Sequence, residues 1–182
     1  MSDRELGKKM AEEMELEPFL DAYKEAVEDY LSYAFGRHER PDFVCYRVAG
    51  TPVGVELVQI TRDPIIAREI YILTQTELMP SEEAMEMLYN EIREKEEKRR
   101  QPDWYLPDNT VLVLQFFDCP IRSLPLSDDS LQKDFASTGF VELWIADYTG
   151  EEAYGDIELF CLYPPERWGY YERPNPGRKP YE

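Results

Sequence analysis

Imidazole and thiol are scarce in this sequence: one histidine, His38, and three cysteines, Cys45, Cys119 and Cys161. No two cysteines share a CxxC spacing, so a Cys/His zinc site is not expected, and three widely spaced thiols make no disulfide framework. Unbridged thiols point to a reducing, cytoplasmic setting. There is no apolar run of about 18 residues, so no membrane-spanning helix is expected. Residues 1–17 are too polar and acidic for a signal peptide. Positive charge is scarce too: 20 Lys and Arg stand against 38 Asp and Glu, for a net charge of −18. That surplus argues against a general affinity for nucleic acid or anionic membrane, whose phosphates need clustered cations. It leaves room for a small local basic groove. With a single histidine, any catalysis falls to carboxylates, with or without a hard metal ion.

What is present describes a folded chain. The 182 residues suit one domain, and hydrophobic residues at 43% with aromatics at 13% are too many for a disordered acidic polymer. Leu16, Phe19, Leu20, Tyr23, Val27, Tyr30, Leu31 and Ala34 recur at helical steps and predict an amphipathic helix over 16–35, stopped by Gly36. Residues 43–48 and 53–60 flank a Gly/Pro turn and predict a β-hairpin. Residues 65–74 fit either a helix or a strand. A helix is expected from Ser81, read as its N-cap, to about Arg100, with Met85, Leu88, Tyr89 and Ile92 as its apolar stripe. Residues 111–117 form a largely apolar run, expected of a strand buried on both faces. A short helix over 126–136, capped by Ser127, and strands at 140–146 and 156–163 complete the order. The expectation is a single α/β (α+β) domain over 1–163, with a mixed central sheet flanked by helices. Residues 164–182, rich in Pro, Tyr, Trp and Arg, are expected as an extended tail packed on that domain.

The hairpin carries the strongest candidate chemistry. Asp42 opens its first strand and Glu56 lies in its second, so folding the hairpin makes them cross-strand neighbours. Two carboxylates at one place can hold Mg²⁺ or Mn²⁺ through oxygen. Glu56 is also costly where it stands, inside Val53-Gly54-Val55-Glu56-Leu57-Val58, unless paired or ligated. The plain alternative is that Glu56 faces solvent or pairs with Arg47.

The helix, then Pro41-Asp42, then a hairpin strand bearing Glu56, then a helix and a buried strand resemble the PD-(D/E)XK nuclease superfamily. The resemblance implies a restriction-endonuclease-like fold in which Asp42 and Glu56 bind a divalent metal. It also implies a water-positioning lysine two residues after the second acid, where this sequence has Val58. Gln59 is the nearest polar group, on the opposite strand face from Glu56. A supporting acid from the first helix falls to Glu25 or Glu28. Pro41-Asp42-Phe43, Val53-Gly54-Val55-Glu56-Leu57, Trp144-Ile145-Ala146-Asp147-Tyr148 and Pro174-Asn175-Pro176 also resemble a group of uncharacterised bacterial proteins, which implies no activity.

Other residues read more plainly. Asp118, before Cys119-Pro120, suits a turn. Cys119 suits a buried thiol, and Asp156 and Glu158 a solvated strand face. Arg93, Lys95, Lys98, Arg99 and Arg100 alternate with Glu91, Glu94, Glu96 and Glu97, as in surface ion pairs. Arg167, Trp168, Tyr170, Tyr171, Arg173, Arg178 and Lys179 form the one basic, aromatic segment. Three functions follow as expectations. The first is a Mg²⁺- or Mn²⁺-dependent nuclease with weak affinity for nucleic acid when alone. The second is an inactive nuclease fold serving as a subunit or interaction module, with a protein partner or as a homodimer. The third is an acidic mimic of nucleic acid.

Overall fold

The computed structural model describes residues 3–27, 29–33, 40–62, 78–149 and 157–172. Its elements, in chain order, are α1 (Asp3–Val27), β1 (Ser32–Tyr33), β2 (Phe43–Tyr46), β3 (Pro52–Ile60), α2 (Ser81–Arg99), β4 (Thr110–Phe116), α3 (Gln132–Phe135), β5 (Glu142–Asp147), β6 (Glu158–Tyr163) and β7 (Gly169–Tyr171). The strands form one seven-stranded sheet whose spatial order is the chain order. β1, β2 and β3 pair antiparallel, β3, β4 and β5 pair parallel, and β5, β6 and β7 pair antiparallel. The fold is therefore α+β, with a mixed sheet and helices.

The strand period of two divides the core between the two sheet faces. Val58, Ile60, Leu112, Leu114, Phe116, Leu143 and Ile145 pack against Ala84, Met85, Leu88 and Ile92 of α2. Val53, Val55, Val111, Val113, Trp144 and Ala146 meet Leu16, Phe19 and Tyr23 of α1 on the other face. The two parallel connections, through α2 and through the 117–141 segment with α3, lie on the same face, as crossovers of one hand stepping in one direction must. α1 covers the face they leave. β4, at the centre, is buried along its whole length, its polar Thr110 and Gln115 included.

Several local expectations are corrected. α1 begins at Asp3, runs through Pro18 and ends at Val27, well short of 35. Asp29 takes the Tyr30 N–H on its carboxylate (2.8 Å), a local bond that competes with helix continuation, and Ser32–Tyr33 then pairs with β2. Ser81 is the first helical residue rather than the cap. Pro80 holds the cap position with no side-chain bond, and its carbonyl accepts the Ala84 N–H. The helix expected over 126–136 is a 3-10 turn, Asp129–Leu131, followed by the single turn of α3. In the segment read as the start of a tail, Gly169–Tyr171 pairs with β6 as an edge strand. The stop at Gly36, His38, residues 65–74 and 173–182 lie outside the described residues.

Candidate functional site

The hairpin register pairs Phe43 with Val55, and one further step sets Asp42 opposite Glu56. β2 ends there, which leaves donors to be satisfied. Alternate N–H groups of β3 point to its two neighbours: Gly54 donates toward β4, to the Asn109 carbonyl, so Leu57 donates toward β2. With no strand residue to receive it, the Leu57 N–H meets Asp42 Oδ2 at 2.9 Å. The Asp42 N–H donates in turn to Glu56 Oε2 at 3.0 Å. Each acid is thus fixed by the backbone of the opposite strand.

The third member comes from α2. Lys95 Nζ lies 2.5 Å from Glu56 Oε1. The Glu56 side chain is 4% exposed and that of Lys95 17%, so the pair is largely shielded from solvent. Val58, two residues after Glu56, shares its face and is buried among apolar neighbours of α2. The sequence slot for the lysine is therefore apolar, and an ammonium reaches the acid from a different element. Arg47, the alternative partner for Glu56, instead binds Asp29 (2.6 Å) and Glu142 (2.8 Å).

No family model, no curated protein and no solved structure matches this chain. The site rests on its own geometry. Gln59 points to the α1 face, where its amide donates to Glu15 at 3.0 Å, away from Glu56. Glu25 is exposed on α1, the helix that packs on that same opposite face, and is not brought to the acid pair. Glu28 lies outside the described residues. Among the described residues, no group of three or more His, Cys, Asp or Glu is placed to hold a metal ion. The donor set at the hairpin is two carboxylates. That chemistry fits Mg²⁺, which takes one or two carboxylates and keeps several waters. Of the two Glu56 oxygens, Oε1 is the one Lys95 holds, and Oε2 accepts the Asp42 N–H.

Sequence reasoning grouped Lys95 with the surface ion pairs of α2, and several of its neighbours do form them: Glu94 with Lys98, and Glu96 with Arg99 and Arg100. A signal for Lys95 exists in the spacing. It continues the stripe of Leu88 and Ile92 by one further helical step. A second buried acid was also passed over. Glu142 Oε1 accepts from Arg47 (2.8 Å), Arg167 (2.9 Å) and the Tyr23 hydroxyl (3.1 Å), and Oε2 from Trp144 Nε1 (2.7 Å). Burial first, then the Glu142 charge, pushes the Tyr23 phenol up to about 12. This cluster joins α1, the hairpin, β5 and the turn before β7. Asp118 Oδ2 ties the end of β3 through Thr61 Oγ1 (3.2 Å) and the Arg62 N–H (3.1 Å). Cys45, Cys119 and Cys161 are buried, and burial raises all three thiols, Cys45 to about 12. None has the lowered value of a nucleophile.

Proposed function

We propose that the protein is a divalent-metal-dependent phosphodiesterase acting on nucleic acid, of the PD-(D/E)XK type. The reading is carried by one observation: the Lys95 ammonium meets the Glu56 carboxylate across from Asp42, supplying from α2 the cation that Val58 withholds. The element order supports it, with a helix, three antiparallel strands, a helix, and a strand parallel to the third. Asp42 and Glu56 would hold Mg²⁺ or Mn²⁺. Such an ion lowers the pKa of a bound water and offsets charge on a phosphoryl group. The chain's own residues supply the frame. Backbone N–H groups orient both carboxylates, the α2 stripe excludes water beneath Glu56, and Lys95, with one N–H on Glu56, would offer its others to a water or a phosphate oxygen.

The test is cleavage of single- and double-stranded DNA and RNA with Mg²⁺ or Mn²⁺. Wild type should cleave at least one. Glu56→Gln, Asp42→Asn and Lys95→Met should each lose at least about 100-fold, the scale of a lost charge-stabilising group, while keeping native circular dichroism. Absence of cleavage across all substrates and metals removes the proposal.

A second reading is favoured by a specific observation. Both oxygens of Glu56, and Oδ2 of Asp42, are already bonded to the chain's own donors. On that reading the acids close the hairpin end, and the protein serves as a non-catalytic interaction module or subunit. Turnover abolished by Asp42→Asn would exclude it. Mimicry of nucleic acid has less support, because many described acids sit in pairs with Arg or Lys, among them Glu83, Glu94, Glu96 and Glu158. A phosphate-like array needs its charges unneutralised.

A further inference from the structure

We infer that Lys95 is a resident counter-cation of the acid pair, and that a divalent cation enters this site only by displacing it from Glu56. The inference rests on the proposed metal site and adds to it an internal competitor. Glu56 Oε2 accepts the Asp42 N–H at 3.0 Å, and Oε1 already holds a cation, with Lys95 Nζ 2.5 Å from it. An ammonium and a metal ion on that one oxygen compete, because like charges at such separation repel strongly in a shielded setting. Glu56 is 3% exposed, so a cation on it replaces hydration the carboxylate has given up. Removing the ammonium leaves that need unmet and favours any cation able to enter. The lysine stem is flexible, whereas α2 is anchored by Leu88 and Ile92. A displaced ammonium therefore stays beside the site, free to meet an anion such as a phosphate group. Lys95 would then restrain metal binding in the free protein and contribute positive charge once the metal is in.

The consequence is an unusual split between binding and activity. Mn²⁺ binding is followed by the loss of free-ion paramagnetic resonance, using the full chain in wild-type, Lys95→Met, Lys95→Gln and Lys95→Met/Glu56→Gln forms. Unfolding curves first establish which forms are native, and Lys95→Gln serves if Lys95→Met is not. The double variant reports Mn²⁺ held by the acidic surface. The lysine variant should bind Mn²⁺ at least about tenfold more tightly than wild type, since an uncompensated buried charge seeks a partner. That gain should vanish in the double variant. Equal or weaker binding in the lysine variants overturns the inference. If wild type cleaves nucleic acid and the lysine variants bind no more tightly, the inference fails and the nuclease reading stands. If no form cleaves yet the gain in binding appears, the inference stands and the nuclease reading fails.

Discussion

Gln115 is the least accommodated side chain among the described residues. It sits at the centre of the sheet in β4, fully buried on the α1 face, and neither its amide nitrogen nor its amide oxygen has a partner in the protein. An unpaired buried amide costs on the order of 1–3 kcal/mol. Methionine has similar length and no strong polar atom. Gln115→Met should therefore raise stability by roughly 1–2 kcal/mol, read as a higher urea midpoint at unchanged slope. A lower midpoint would mean that the amide is satisfied in solution. Glu142 is its opposite, a buried acid with four donors around it. The sequence marked Glu56 and Glu142 by the same sign, a lone carboxylate in an apolar strand. Only Glu56 was read, because the Asp42 partner was visible through hairpin folding while Arg47 and Arg167 reach Glu142 through tertiary contacts.

Among the elements, α2 shows what spacing leaves undecided. Its charge alternation foretold the Glu94–Lys98 and Glu96–Arg100 pairs, since those are neighbours on one helix. It could not tell that Lys95 turns inward, because that depends on where β3 lies beneath the helix. The α1 end was missed for a related reason. Tyr30 and Leu31 extend the helical stripe on paper, yet the Asp29 side chain accepts the N–H of Tyr30 and the next residues find a strand to join. Glu96 offers a test at this scale. Burial opposes its charge, but bonds from Arg99, the Gly139 N–H and Arg100 prevail and hold its carboxyl below the ordinary 4.5. Its contribution is present above that value and is lost as pH falls through the lower folded value. Thermal midpoints should therefore drop as the pH is taken below about 4.5, and Glu96→Gln should shrink that drop while lowering stability at neutral pH. Equal acid sensitivity in both forms would place the titrating group elsewhere.

For the whole molecule, the net charge of −18 matters more than any single pair. The exposed pairs, such as Arg62–Glu83 and Arg40–Asp103, are individually weak. Repulsion among the surplus acids opposes compaction, and salt screens it within about 10 Å at 0.1 M. Raising NaCl from low ionic strength to about 0.5 M should stabilise the fold by on the order of 1 kcal/mol, or about 2–4 °C in the calorimetric midpoint. A falling midpoint would show that the ion pairs outweigh the repulsion. Fold class was readable in the sequence because strand and helix periods change plainly along the chain. The division of labour between sheet faces was not, since it follows from crossover handedness and from α1 taking the remaining face.

A sheet whose spatial order repeats its chain order has a consequence for biosynthesis. Each strand, as it leaves the ribosome, finds its neighbour already made, so the sheet can be laid down one strand at a time with no slot held open for a later arrival. The hairpin that aligns Asp42 with Glu56 is complete before α2 emerges. Until Lys95 is synthesised, the nascent chain carries this acid pair without its cation.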